Sequence, residues 1–136
     1  MTRVWVYQTM QNDPSLALEV GDRIHSSTSL KVAPHEKPFL MYRMTSDLPG
    51  MRGDDGKVTK TSNFMILAHD EPGDYMRIDR ILGHVERLFN DVNDQPNGII
   101  RATWFENSDD WRDEDMGTIM KYGRVEVKYR TVTHHP

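Results

Sequence analysis

The chain has 136 residues, 37% of them hydrophobic, with a formal net charge of −4 and no cysteine. That length suits one domain with a modest core, and the missing cysteines remove disulfides, thiolate metal sites and thiol enzymes. No run approaches the ~20 apolar residues of a membrane span, and Lys and Arg are dispersed instead of forming the basic stripe that grips phosphates, so direct nucleic-acid binding is not expected.

In chain order, the opening MTRVWVYQTM is too briefly apolar for a signal-peptide core and is read as part of the mature protein. Val4, Trp5, Tyr7 and Met10 make a loose helical pattern that stops before Pro14. Ser15 is placed to cap a short helix carrying Leu16, Leu18 and Val20 and ended by Gly21. From Arg23 to Lys37 apolar residues are few, which predicts extended loop. Phe39 to Met44 is a strand rich in large apolar side chains. Residues 46–60 then hold Gly50, Gly53 and Gly56 among mixed charges, longer than a hairpin connection normally is. Asn63 to Ala68 is apolar on both faces, as a central strand is.

The clearest helix runs from Asp74 to Val92, where Tyr75, Ile78, Leu82, Val85, Phe89 and Val92 recur at helical steps. Asp70 or Asp74 is placed to cap it, and Gly83 inside it predicts close approach to the sheet. Asp94–Gly98 (DQPNG) is turn chemistry, and Gly98 to Phe105 is the next strand. The stretches Met116–Met120 and Arg124–Arg130 complete the sheet. In the second of these, Val125, Val127 and Tyr129 alternate with Arg124, Glu126, Lys128 and Arg130, a half-buried antiparallel strand with one charged face. That face is either solvated or meets another chain. The fold class expected is α+β: a two-layer sandwich in which one long helix covers an antiparallel or mixed sheet of about four strands, with short N-terminal helices.

Chemistry is sparse. The acidic cluster Asp109, Asp110, Asp113, Glu114 and Asp115 fails as an EF-hand loop started at Asp113, because Gly117, Thr118 and Arg124 fall where an Asp or Asn, the Gly and the closing acid belong. A solvated turn in which Ser108 or Asp110 caps a helix is the preferred reading over a cation site. Asp54-Asp55-Gly56 reads as a turn. His25, His35, His69, His84, His134 and His135 show no metal-ligand spacing, Ser26, Ser27 and Ser29 have no nucleophile elbow, and the glycines of residues 50–56 do not sit between a strand and a helix. No catalytic residue, metal ligand or cofactor is expected. Trp104 reads as core, whereas Trp111, between Asp110 and Arg112, is hard to bury and suits an interface anchor.

Taken together, the order of these segments resembles the tail terminator (tail completion) proteins of long-tailed bacteriophages. LALEVGDRIHSS carries the family's Leu18, Val20, Gly21, Arg23 and Ile24; KPFLMYRM resembles its Pro-led strand; DYMRIDRILGHVERL matches its helix at Tyr75, Ile78, Asp79, Ile81 and Val85. The closing hairpin matches at Trp104, Ser108, Asp110, Asp113, Gly117, Arg124, Val127 and Tyr129. The loop of residues 46–60 departs from the family in length and in Gly and Asp content. The resemblance implies a single tail-terminator-like domain over residues 1–136 that is not an enzyme. Six copies would form a ring that caps the tail tube and offers the surface joining the tail to the head. Implied partners are further copies of itself, the tail tube protein and a head-completion or neck protein, with DNA passing through unbound and no membrane; the implied location is the tail of the virion. Candidate interface residues are Trp111, Arg124, Glu126, Lys128 and Arg130, and the candidate lumen or partner loop carries Met51, Arg52, Asp54 and Asp55. The alternatives are another phage neck or head–tail joining protein and, from a different class, a small α+β ligand-binding or enzyme domain.

Overall fold

A computed structural model of the chain describes residues 2–26, 36–50 and 57–132. Two helices come first, α1 (Thr2–Gln11) and α2 (Pro14–Val20), then strands β1 (Ile24–Ser26), β2 (Phe39–Leu48) and β3 (Lys57–Asp70). Helix α3 (Met76–Phe89) leads to β4 (Val92–Asp94), a 3-10 turn (Gln95–Asn97), β5 (Ile99–Asn107), β6 (Trp111–Asp113) and β7 (Thr118–Val132). The sheet order is β1-β2-β3-β7-β5-β4, with β6 also on β7. Among the described residues only the β1–β2 pairing is parallel.

The α+β class matches the reading of the sequence, but the sheet and the layers differ. Among the described residues the sheet has seven strands, not about four, and three helices form the other layer instead of one long one. The added strands β1, β4 and β6 each span three residues, too short for alternation to be visible. The expected helix over 74–92 ends at Phe89 because Asn90 is extended and Asp91 takes φ 57°, turning Val92 into β4.

The caps explain the helices. Asp13, not Ser15, starts α2: its carboxylate accepts the Leu16 N–H at 3.0 Å, with Pro14 in the first turn. Gly21, at φ 59°, ends it. Leu16 and Val20 are buried four residues apart, so Leu18 between them points outward and is 90% exposed. Tyr75 is the N-cap of α3, without a side-chain cap bond, and Asp74 just before it accepts the Met76 N–H at 3.0 Å; the helix buries Ile78, Ile81, Leu82, Val85 and Phe89. Gly83 does not approach the sheet; it is exposed, with open space where a Cβ would stand.

The long strands β3 and β7 pair without interruption from Lys57↔Val132 to Asp70↔Ile119. On the helix side, Phe64, Ile66 and Ala68 of β3 meet Val125, Val127 and Tyr129 of β7 in the main core. Here β7 is continuous where two stretches were expected, and the join is Gly123. A Cβ on Gly123 would stand 1.7 Å from Cζ2 of Trp104, so the indole lies directly over the glycine, with its N–H donated to Asn107 Oδ1 at 3.1 Å. The expected loop of residues 46–60 is shorter, because 46–48 belong to β2 and 57–60 to β3. Nor is there a helix for Ser108 or Asp110 to cap. Ser108 instead stitches β5 and β6 to β7, donating its N–H to Tyr122 O and accepting the Tyr122 N–H on Oγ. Gly117, at φ 64°, turns the hairpin between β6 and β7.

Side chains of α3 fasten it to its surroundings. Arg77 grips Asp70 with two nitrogens at 2.7 and 2.5 Å, Arg80 grips Glu19 of α2 at 2.5 and 3.1 Å, and Arg87 reaches Asp13 at 3.1 Å. Burial raises the pKa of the Asp70 carboxyl, but hydrogen bonds from Arg77 and from the Glu71 N–H outweigh it and hold it below the usual range. The hydrogen bond from Arg80 likewise lowers Glu19.

Two predictions follow from these contacts. Alanine should act with opposite sign at two glycines: Gly83→Ala should stabilise by about 0.4–1 kcal/mol, and Gly123→Ala should cost about 1–3 kcal/mol by displacing the Trp104 ring. Urea unfolding measures both. Because the Asp70 and Glu19 pKa values are depressed by folding, their stabilisation is present above the unfolded values near 4 and is lost as pH falls through the folded ones. In Arg77→Met, burial of Asp70 is opposed by the Glu71 N–H without the guanidinium, so the stability deficit seen at pH 7 should shrink at pH 3; an equal deficit at both would contradict this origin.

Candidate assembly surface

The second face of the sheet, turned away from the helices, carries the residues alternate to the core ones. Its two halves differ. Toward the β6 end, Phe39, Met41, Met65 and His69 are buried although they lie outside the main helix-side core. Phe39 stacks flat on the His69 ring at 4.7 Å, and His69 Nδ1 shares a hydrogen bond with Thr118 Oγ1 at 2.8 Å.

The other half is charged. Arg124, Glu126, Lys128 and Arg130 follow one another along β7, with Arg124 and Glu126 half-buried and Lys128 and Arg130 exposed. Arg124 Nε lies 3.4 Å from Glu106 Oε1 of β5, and its guanidinium stands 5.7 Å from the Tyr122 ring centre. Glu126 and Lys128 approach to 3.9 Å. Exposed pairs of this kind contribute about 0–1 kcal/mol, so exchanging them for pairs with another chain costs the fold little.

Trp111 stands on the same face as the charged residues of β7, four positions along that strand from Arg124. Trp111 is 53% exposed, and in the ladder it sits opposite Met120, ten positions along β7 from Arg130. At ~3.3 Å per residue that is roughly 33 Å. The Tyr75 hydroxyl donates to the Trp111 carbonyl at 2.9 Å, which fixes the backbone and leaves the indole outside. Met51, Arg52, Asp54 and Asp55 lie outside the described residues. On the sheet, Leu48 at the end of β2 and Phe105 in β5 are also exposed. Phe105 is the extra residue where the β5–β7 register shifts between Trp104 and Glu106.

At the far end of β7, on the helix side, Asp47 Oδ1 accepts from the Ser62 and Tyr129 hydroxyls at 2.9 Å each, and Ser62 Oγ lies 3.2 Å from Thr2 Oγ1. Burial, with the Asp47 charge, keeps the Tyr129 phenol above its ordinary pKa, against the hydrogen bond of Ser62. Beside it a cleft of about 210 Å³ opens between Trp5, Gln8, Tyr129 and Arg130, below the ~300–1,000 Å³ typical of sites that enclose a small molecule. Among the described residues no group of three or more His, Asp or Glu is placed to hold a metal, and no helix is long and apolar enough to cross a membrane.

No protein-family model matches the chain, and no curated protein matches it by sequence. In fold it is similar to a chain from the virion of a native gene transfer agent (GTA) particle, with a TM-score of 0.68 and 13% identity. The likeness covers 93% of this chain and 92% of that one.

The two tryptophans should respond differently to truncation. Trp104→Ala should cost about 3–5 kcal/mol, by emptying the space over Gly123, whereas Trp111→Ala should stay within about 0.5 kcal/mol. A comparable loss at both positions, by urea unfolding, would show that Trp111 packs within its own subunit.

Proposed function

We propose that this chain is a structural protein of a phage or phage-like virion, and specifically a tail terminator. In this reading residues 1–136 form a single domain that acts by assembly and not by catalysis. Six copies close into a ring on the end of the tail tube, one face meeting the tube and the other a head-completion or neck protein. DNA passes through the ring without specific binding, and the protein resides in the tail of the virion. The observation that carries this is the fold likeness to a virion component over nearly the full length of both chains. The ordered set of tail-terminator-like segments supports it, and so does a sheet face whose charges are only loosely engaged within the subunit.

Electron microscopy of the chain mixed with the tail tube protein is the test. Rings seated on tube ends, with tubes of uniform length, are expected. Rings that bind head or neck proteins but leave tubes unbounded would favour the neck or head–tail joining alternative, and a monomer with a filled ligand cleft would favour the small-domain one.

The charged face gives a sharper check. Reversing Arg124 and Lys128 together to Glu should weaken assembly at least tenfold, about 1.4 kcal/mol, with little change in melting temperature, because mismatched charge acts on specificity more than on folding. Unchanged assembly would mean that this face is solvated in the particle.

A further inference from the structure

Four strands, β2, β3, β7 and β5, form the body of the sheet and alternate in direction. Their outer edges are only partly covered. β1 pairs with β2 at Leu40–Tyr42, and β4 pairs with β5 between Ile99 and Ala102. Among the described residues, no strand pairs with the outward edge of Arg43–Leu48 or of Thr103–Asn107. An unpaired edge is a template for another chain.

The register sets these two open stretches at the same height. Ser46, Asn63, Glu126 and Thr103 form one row across the sheet, and Arg43, Met65, Arg124 and Glu106 form another. Each row begins on one open edge and ends on the other. Leu48 lies at one edge and Phe105 at the other, both about half exposed.

We propose that copies of this chain join edge to edge, β5 of one protomer against β2 of the next, extending the sheet from subunit to subunit. The inference deepens the ring reading above and rests on it. Direction supports it: with four alternating strands per subunit, β5 meets the next β2 antiparallel and the ladder continues in kind. Height supports it as well. Pairing Thr103 with the next Ser46 adds no offset along the strands, and a head-to-tail contact closes into a ring where its rotation closes. Charge agrees, since the same register sets Glu106 beside the next Arg43, opposite signs on one face. Within its own subunit Arg43 Nη2 meets the Met65 sulfur at 3.6 Å.

The edges are also selective. β4 and the neighbour's β1 bracket the shared stretch and confine direct pairing to Thr103–Glu106 against Arg43–Ser46. Both ladders shift register inside that stretch, at Met44/Ser46 and at Trp104/Glu106. A regular strand from an unrelated protein meets a kinked ladder on either side.

The absence of native cysteine makes the test clean. In the full chain carrying both Ser46→Cys and Thr103→Cys, the two positions of one subunit are three strand spacings apart, roughly 14 Å, beyond the ~7 Å limit for a disulfide. Oxidation should therefore link only different copies and give a ladder on non-reducing gels that ends at a closed oligomer. Each single variant should give no disulfide dimer, because the contact is head-to-tail. The pair Arg43→Cys and Glu106→Cys, in the second row, provides an independent replicate if the first folds poorly. Rings visible by electron microscopy without cross-linking in either pair, or dimers from a single variant, overturn the edge contact while leaving the ring reading standing. Neither rings nor cross-links, with tube protein present, overturns both.

Discussion

The fold depends on one ladder, the uninterrupted pairing of β3 with β7. It aligns fourteen residues of each strand, and every other strand except β1 and β4 hydrogen-bonds to one of these two. Because side chains alternate strictly along such a pair, this register decides at once which residues face the helices and which face outward. Slipping it by one position would send Val125, Val127 and Tyr129 into water and bury Arg124, Glu126 and Lys128. The apolar contents of the core therefore fix the register, and the register in turn lays out both the charged face and the cross-sheet rows that end at the open edges.

Much of this was legible where the physics is local. The alternation around Val125 and the helical steps from Ile78 to Phe89 each name their own buried face, and both faces are buried as read. The misreadings have non-local causes. Residues 121–123 fall between the two expected stretches, but β7 runs through them, and Gly123 leaves the space that the Trp104 ring, from a different strand, fills. Gly83 seemed to mark a close approach and marks none. Asp70 looked like a helix cap, and its partner is the Arg77 guanidinium instead. Three-residue strands carry too little pattern to be seen. The candidate surface was legible as a charged face on β7; the place of Trp111 beside Met120 follows from the short β6, and the edges follow from strand order, which periodicity does not encode.

Several residues that carry the resemblance to tail terminators do structural work. Gly21 ends α2 with a positive φ, and Arg23 Nε, two residues on, donates to the Pro38 carbonyl at 2.8 Å, tying the start of β1 to the entry of β2. Trp104 covers Gly123, and the Tyr129 hydroxyl holds Asp47. Such positions fix a fold, and the likeness to a virion component at 13% identity is a likeness of fold. In the proposed function the remaining surface is what meets partners: weakly engaged charges, an exposed indole at Trp111 and the kinked edges.

The central claim is that this fold works by joining copies of itself. Native mass spectrometry of the purified chain, alone and with tail tube protein, measures that directly. The account predicts a discrete closed species of six copies of the 15.8 kDa chain, with no ladder of ever longer forms. A chain that remains monomeric at every concentration, with and without the tube protein, would contradict it.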